Sequence, residues 1–211
     1  MTIPWGDLAL NGQPVRTQLV RDIIFECEIK RIIETGTMYG STTAFFASFG
    51  LPVVTAEINA ALIAKARERL EGHPNIDLLC IDSVTMMQAL LTAPIDFNAP
   101  TLFYLDAHGY GDLPLREEIE IAINNFSKAV VMIDDFAVPD DPGYGFDNYG
   151  PGNRIDHDYL KTCNIWPLVT YLPSTPSNAE GGMRRGCAVV TSCIGLSVLL
   201  NGIPLLRRWS T

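Results

Sequence analysis

Short, nearly continuous apolar runs recur along the first two thirds of the chain, and the segments between them have apolar residues at helical spacing. Continuous runs of this length are typical of strands that are buried on both faces of a sheet. The predicted strands are residues 31–35, 52–58, 76–81, 101–106 and 129–134, and the predicted helices are residues 15–29, 41–49, 60–70 and 115–126. Alternation of this kind favours parallel βαβ units.

The pattern changes after the fifth predicted strand. Residues 136–156 are rich in Gly, Pro, Asp and Tyr, and long loops in compact domains are often functional lids. We predict that this segment closes over a substrate, with Tyr144, Phe146 and Tyr149 stacking on a sugar or aromatic ring.

Two further predicted strands, residues 165–172 and 187–193, complete the sheet. Their hairpin-like order leaves one strand antiparallel to the others. The predicted fold is therefore α/β. It is a single Rossmann-like domain over residues 1–211, with a seven-stranded, mostly parallel sheet, one antiparallel strand and helices on both faces.

Composition narrows the class of partner. The chain is 47% hydrophobic, and its 24 acidic and 15 basic residues give a formal net charge of −9. Because nucleic-acid binders normally present a basic face to the phosphates, we expect a small-molecule substrate and no nucleic-acid partner. The longest uncharged apolar stretch, residues 194–206, is too short and too interrupted to span a bilayer, so no membrane partner is expected.

The cysteines and the first residues bear on the cellular compartment, and the last apolar residues bear on packing. The five cysteines lack the spacing of a zinc site or a redox motif, and most lie in apolar runs. That pattern suits a reducing compartment, and the first residues lack the basic start and apolar run of a signal peptide, so we expect a cytoplasmic protein. The apolar residues 196–209 are expected to pack either in the core or in the interface of a homo-oligomer.

The first predicted strand ends in a glycine-containing loop with the sequence Glu-Thr-Gly-Thr-Met-Tyr-Gly at residues 34–40. Its glycines allow a tight turn and close approach of a ligand, and the helix that begins near Ser41 and Thr42 presents free N–H groups. The carboxylate of Glu34 would repel a pyrophosphate. It suits a cationic ligand group, such as the amino group of a methionine moiety.

Acidic residues also follow the next two predicted strands. Glu57 lies about 21 residues after Gly36, where a carboxylate can accept hydrogen bonds from both hydroxyls of a ribose. Asp82, followed by Ser83, ends the third predicted strand and is placed to meet an adenine amino group. Because these residues lie at the carboxyl ends of parallel strands, we expect them to form one ligand site.

The fourth and fifth predicted strands end in further carboxylates. Asp106 ends the fourth strand, and Asp134 and Asp135 end the fifth. Three converging carboxylates repel one another unless a cation joins them, and their hard oxygen atoms suit Mg²⁺. His108 lies two residues after Asp106 and can take a proton from a metal-bound hydroxyl near neutral pH, so we predict that Asp106 and His108 are catalytic.

The order Glu-x-Gly-x-x-x-Gly, Glu57 and Asp82-Ser83 resembles the motif series of class I S-adenosylmethionine-dependent methyltransferases, over nearly the whole chain. Leu-Asp-Ala-His at 105–108 and Val-Met-Ile-Asp-Asp at 131–135 resemble, more narrowly, the macrocin O-methyltransferase and cephalosporin hydroxylase-like families, which are metal-assisted O-methyltransferases of sugars and natural products. The resulting candidate cofactor site comprises Glu34, Thr35, Gly36, Gly40, Ser41, Thr42, Glu57, Ile58, Asp82, Ser83 and Asp106. The resemblance also implies a Mg²⁺ site at Asp106, Asp134 and Asp135, although many members carry a second Asp where this chain has His108.

We therefore predict an S-adenosylmethionine-dependent, Mg²⁺-assisted O-methyltransferase that acts on a hydroxyl of a small molecule, either a sugar moiety or a natural product. Two alternatives remain open: a metal-dependent hydroxylase-like enzyme on the same fold, and a non-catalytic protein that only binds the cofactor. Redox iron sites usually use two histidines and one carboxylate, whereas the candidate ligands here are mostly carboxylates. An intact acidic cluster argues against the non-catalytic alternative.

Overall fold

The computed structural model describes residues 8–109, 113–165 and 167–210, and within these ranges eight strands alternate with helices. The strands are β1 (Arg31–Thr35), β2 (Val53–Ala56), β3 (Ile76–Leu79), β4 (Thr101–Leu105), β5 (Ala129–Asp134), β6 (Val169–Pro173), β7 (Cys187–Thr191) and β8 (Leu206–Arg208). The helices are α1 (Pro14–Glu26), α2 (Ser41–Ala47), α3 (Ala60–Arg69), α4 (Ser83–Leu90), α5 (Leu115–Asn125), α6 (His157–Leu160) and α7 (Ile194–Asn201), with two 3-10 helices at Ala9–Gly12 and Ser177–Ala179. None of the helices in the described ranges is long and apolar enough to cross a membrane.

The described strands form one mixed sheet with the order β3-β2-β1-β4-β5-β7-β6-β8. Strands β1 to β5 pair in parallel, which confirms the predicted βαβ units. Strand β7 is antiparallel to both β5 and β6, and β8 is antiparallel to β6. Strand β6 therefore runs in the same direction as β1 to β5, while β7 and β8 run in the opposite direction.

The predicted count of seven strands with one antiparallel strand is too low, because the described residues include β8. This strand has three residues and pairs with β6, with Leu172 opposite Arg207. Three residues are too few to show a two-residue period in the sequence. The sequence pattern therefore does not distinguish β8 from the apolar segment before it, which forms α7.

Helices cover both faces of the sheet, as the sequence predicts. One core contains Ile33 and Phe103 together with residues of α4, α5 and α6, and the other contains Ile32 and Leu102 together with residues of α1, α2 and α7. Successive residues of a strand point to opposite faces. Because both faces of the central strands are buried, their sequences read as continuous apolar runs.

The carboxyl ends of the central parallel strands meet at one edge of the sheet. The register pairs Thr35 with both Ala56 and Leu105, and pairs Leu105 with Ile133. Strand β1 lies between β2 and β4, so the strand order reverses direction at this point. Open α/β sheets bind ligands at such a switch point, beyond the carboxyl ends of the strands.

The segment predicted as a lid is partly tied to the body of the protein. The backbone N–H of Ala137 donates to the carbonyl of Ile155, and both residues are buried. Tyr144 is also buried, and its hydroxyl donates to the carbonyl of Thr175. The expected stacking of Tyr144 on a substrate is therefore wrong, because its ring belongs to the core. Closure over a substrate stays a prediction for the more exposed residues 145–153.

Candidate active site

The glycine loop after β1 packs against the chain that leaves β4. Gly36 has a φ of +82°, and a Cβ atom at this position would collide with the backbone carbonyl of Asp106. Gly40, which precedes α2, has a φ of +76°. Glycine adopts this left-handed conformation without the steric cost of a side chain. The predicted tight turn is confirmed, and contact of the loop with a ligand stays a prediction.

Glu34 lies at the end of β1 and is buried. Its Oε2 accepts hydrogen bonds from the hydroxyls of Thr43 and Thr55, whereas Oε1 has no donor among the residues that the structure describes. Burial raises the pKa of Glu34 to about 7, although the two hydroxyls act in the opposite direction. A buried carboxylate with a free oxygen suits a donor that comes from outside the protein.

Glu57 and Ile58 follow β2 directly beside the glycine loop. The backbone N–H of Met38 donates to Oε2 of Glu57 at 3.0 Å, and that of Asn59 donates to Oε1 at 2.8 Å. Glu57 is thus held against the loop, and each oxygen retains a second lone pair for a ligand. The side chain of Ile58 is 71% exposed, which leaves an apolar surface next to this carboxylate.

Asp82 is the N-cap residue of α4. Its Oδ1 accepts from the backbone N–H of Thr85 at 2.8 Å, and its Oδ2 accepts from the hydroxyl of the same residue at 2.6 Å. These hydrogen bonds lower the pKa of Asp82. Ser83, the first residue of the helix, is buried. Strand β3 ends at Leu79, before the predicted residue 81, so Asp82 and Ser83 lie beyond the strand, at the start of α4. The capping bonds also give Asp82 a structural role that its position in the sequence did not indicate.

Three hydroxyl-bearing residues of the predicted cofactor site bond to the protein itself. Thr35 accepts from the backbone N–H of Asp106, and Thr42 accepts from the backbone N–H of Leu10. The hydroxyl of Ser41 accepts from the guanidinium of Arg69. These hydroxyls fasten the start of α2 and the end of β4 around the glycine loop. Any contact that they make with a cofactor stays a prediction.

Asp106, His108 and Asp135 form a cluster at the ends of β4 and β5. The Nε2 atom of His108 lies 3.7 Å from Oδ1 of Asp106 and 3.6 Å from Oδ2 of Asp135. One potential ligand atom from each residue lies within 4.8 Å of the others. The structure thus brings together two of the three predicted metal ligands and adds the histidine that was predicted as a base.

The charges of this cluster shift the protonation of its members. Burial raises the pKa of Asp106, and the nearby carboxylates of Asp134 and Asp135 raise it further. Burial lowers the pKa of His108, but the carboxylates around it, chiefly Asp135, outweigh this effect and raise it overall. For Asp135 the effect of burial is outweighed by His108 and Arg185, so its pKa is lowered.

Asp134 does not join the cluster, which corrects its assignment as a metal ligand. It is fully buried, and its Oδ1 forms an ion pair with Arg16 of α1. Its Oδ2 accepts from the hydroxyl of Tyr104 at 2.6 Å and from the side-chain amide of Asn11 at 2.9 Å. Successive residues at the end of a strand point in opposite directions, so Asp135 faces the cluster while Asp134 faces α1.

Arg16 was not recognised from the sequence, although its position on α1 carries a signal for a buried ion pair. Arg16 lies three, four and seven residues before Leu19, Val20 and Ile23, so it shares their buried face. A charged residue on the buried face of a helix needs a buried partner of opposite charge. This rule indicates an acidic partner in the sheet, but the identity of Asp134, 118 residues away, depends on the tertiary fold.

Arg185 and Asp147 were also missed, and both support the cluster. The Nε of Arg185 donates to Oδ1 of Asp135, and another nitrogen of the same guanidinium donates to Asp147. Asp147 in turn accepts from the hydroxyl of Tyr149, whose ring centroid is 6.4 Å from that of His108. Two residues of the segment 145–153, for which closure over a substrate is predicted, therefore lie next to the cluster.

Solved structures of O-methyltransferases share this fold. The O-methyltransferase from Bacillus cereus, in complex with S-adenosylhomocysteine, is 17% identical to this chain, covers 85% of it over 81% of its own length, and superposes with a TM-score of 0.61. TomG from Streptomyces achromogenes, an O-methyltransferase involved in tomaymycin synthesis and solved with S-adenosylmethionine, is 16% identical, covers 85% of this chain over 78% of its own length, and has a TM-score of 0.57. The predicted class I methyltransferase fold is confirmed. Neither protein-family models nor curated proteins match the sequence.

Proposed function

We propose that this protein is an S-adenosylmethionine-dependent methyltransferase that transfers a methyl group to a hydroxyl oxygen of a small molecule. The observation that carries the proposal is the convergence of the glycine loop, Glu34, Glu57 and the Asp106–His108–Asp135 cluster at one edge of the sheet. Two structures with the same fold were solved with S-adenosylmethionine or its demethylated product.

The residues at this edge fit the parts of S-adenosylmethionine. Oε1 of Glu34 is a buried acceptor with no donor among the residues that the structure describes, and it suits the amino group of the methionine moiety. Glu57 offers acceptors to the ribose hydroxyls, and the exposed side chain of Ile58 offers an apolar face to the adenine ring. Asp82 and Ser83 lie at the next strand end, where the adenine amino group would find an acceptor.

Methyl transfer to oxygen is an in-line displacement on a cofactor that is already activated, so the protein mainly positions the acceptor. A divalent cation, for which the sequence predicts Mg²⁺, would stabilise the ionised acceptor hydroxyl when held by Asp106 and Asp135. Arg185 fixes the orientation of Asp135. The side chain of His108 is 1% exposed, which favours a place beside these two carboxylates over the predicted role as an accessible base.

The acceptor is proposed to be a sugar moiety or a natural product that carries a ring. Tyr149 lies beside His108, and the ring of Phe146 lies 4.5 Å from the guanidinium carbon of Arg154. The ring of Tyr149, at the margin of the cluster, suits stacking on a sugar or an aromatic acceptor. The hydroxylase-like alternative is not favoured, because the described part of the cluster contains one histidine and two carboxylates, whereas redox iron sites usually have two histidines.

The test is transfer of an isotopically labelled methyl group from S-adenosylmethionine to a panel of sugar, catechol and macrolide acceptors, with Mg²⁺ and separately with Mn²⁺. Wild type should label an acceptor, and Glu57→Ala should label it much more slowly. Glu71→Ala, which removes an exposed carboxylate outside the site, should behave as wild type. Cofactor binding without label in any acceptor would favour the non-catalytic alternative.

A further inference from the structure

We infer that the Asp106–His108–Asp135 cluster binds a first-row transition-metal ion such as Mn²⁺ in preference to Mg²⁺, with the imidazole of His108 as a ligand. The inference deepens the proposed function, which supplies the reason for a metal at this edge. Binding of the ion can nevertheless be measured without cofactor or acceptor, so the two proposals can fail separately.

The distances within the cluster fit a shared ion better than direct hydrogen bonds. The separations of 3.7 Å and 3.6 Å from Nε2 of His108 to the two carboxylates exceed the usual length of a hydrogen bond. Two atoms that bind one ion at about 2.0–2.2 Å each can lie up to about 4.4 Å apart. Both separations from the imidazole fall within that limit. Small movements of the two carboxylates would bring their oxygen atoms within the same limit of each other.

The imidazole itself is the second indication of a ligand. The side chain of His108 is 1% exposed, and neither of its ring nitrogens has a hydrogen-bond partner among the described residues. Burying a polar group without a partner costs free energy, so such groups are rare in folded proteins. A metal ion between Nε2 and the two carboxylates would satisfy the nitrogen that points toward them.

The charges around the cluster call for a divalent cation. Arg185 contacts Asp135 and Asp147, and Asp106 lies across the cluster. When these three carboxylates are ionised and His108 is neutral, as a metal ligand must be, one guanidinium leaves two negative charges unbalanced among the described groups. Arg16 does not offset these two negative charges, because it is paired with Asp134. A divalent ion would balance this excess.

The donor set determines which ion is preferred. Mg²⁺ prefers oxygen ligands, whereas an imidazole nitrogen suits first-row transition metals, whose affinities for mixed nitrogen and oxygen sites rise from Mn²⁺ towards Cu²⁺. The carboxylate of Asp134, which would have supplied a third oxygen ligand, is turned towards Arg16. His108 occupies that place in the cluster and converts an oxygen site into a nitrogen-containing one.

The experiment titrates the metal-free full chain with Mn²⁺ and with Mg²⁺ by calorimetry, and records the electron spin echo modulation of bound Mn²⁺. The inference predicts at least tenfold tighter binding of Mn²⁺ and a ¹⁴N modulation from an imidazole. The chain has three histidines, so His73→Ala is a matched control that should keep both the affinity and the modulation.

Two substitutions of His108 complete the test. His108→Asp supplies oxygen in place of nitrogen, so it should lose the ¹⁴N modulation and narrow the preference for Mn²⁺ over Mg²⁺. Loss of a group that only hydrogen-bonds to a metal ligand typically weakens metal binding by about 10–100-fold. Because His108 would be a ligand itself, His108→Ala should weaken Mn²⁺ binding by at least that much.

Wild type alone can overturn the inference, even if a variant does not fold. Mn²⁺ bound without ¹⁴N modulation, equal affinities for Mg²⁺ and Mn²⁺, or no binding of either ion at millimolar concentration would each contradict it. Mn²⁺ bound with the imidazole signature in a protein that does not bind S-adenosylmethionine would refute the proposed function and leave this inference standing.

Discussion

Replacing Arg16 with Met should lower the free energy of unfolding by about 3–5 kcal/mol, the cost of removing one partner from a buried ion pair. Arg16 is 2% exposed and Asp134 is fully buried, so water cannot solvate the carboxylate that remains. Met fills much of the space of the arginine stem and carries no charge. The loss is a large share of the roughly 5–15 kcal/mol that stabilises a typical domain.

The remaining contacts of Asp134 determine where in this range the loss falls. Its carboxylate keeps hydrogen bonds from Tyr104, from Asn11 and from the backbone N–H of Asp135. The carbonyl of Arg185 loses a donor from Arg16 but keeps the side-chain amide of Gln13. The unpaired negative charge is therefore the main cost, and these bonds favour the lower half of the range.

Urea unfolding at constant pH, followed by circular dichroism, measures the loss. Arg21→Met is the matched control on α1, because Arg21 is exposed and stacks on the rings of Phe45 and Phe49, so it should cost at most about 1 kcal/mol. Combining Arg16→Met with Asp134→Asn removes the unpaired charge and should cost less than the sum of the single changes. A loss below about 1 kcal/mol for Arg16→Met, or strict additivity in the double variant, would refute the reasoning.

Four further predictions concern the site. Glu57→Ala should weaken binding of S-adenosylmethionine by about 1–3 kcal/mol in calorimetry, because the ribose hydroxyls lose a charged acceptor; an unchanged affinity would remove Glu57 from the site. A chelator should abolish methyl transfer but leave cofactor affinity nearly unchanged, whereas full turnover in its presence would exclude a required metal. Burial raises the pKa of Glu34 to about 7, so the stability that this residue contributes in acid should be lost as the pH rises towards 7. Binding of the cationic cofactor at pH 6 should then release protons in wild type and not in Glu34→Gln, as calorimetry in buffers of different ionisation enthalpy would show; equal release in both would contradict the contact. Limited proteolysis should cut first within residues 145–153 and more slowly with ligands, and cleavage elsewhere without a ligand effect would count against a lid.

The sheet could be predicted from the sequence because its central strands are buried on both faces. Their apolar runs are continuous, and the turn after β1 has glycines where the backbone adopts positive φ at Gly36 and Gly40. Parallel strands place their carboxyl ends at one edge, so the approximate positions of Glu57 and Asp106 followed from topology alone. Strand β8 could not be predicted, since its three residues gain their conformation from pairing with β6.

The composition of the Asp106–His108–Asp135 cluster could not be predicted from the sequence for a different reason. Asp134 and Asp135 are adjacent and chemically identical, and the strand's alternation with a φ of +54° at Asp135 decides which one faces the cluster. Arg16, the ion-pair partner of Asp134, lies on α1, which is distant in the sequence. The proximity of His108 to both Asp106 and Asp135 likewise depends on how two separate strand ends meet. Sequence spacing indicates the strand ends but not the direction of each side chain.

The central claim is that the edge at β1, β2 and β4 binds S-adenosylmethionine. Calorimetric titration of the full chain with S-adenosylmethionine, and separately with NAD⁺, tests it most directly. The structure predicts saturable binding of one S-adenosylmethionine per chain and no binding of NAD⁺, because Glu34 beside the glycine loop favours a cationic group and disfavours a pyrophosphate. Tight binding of NAD⁺ without binding of S-adenosylmethionine would contradict the account.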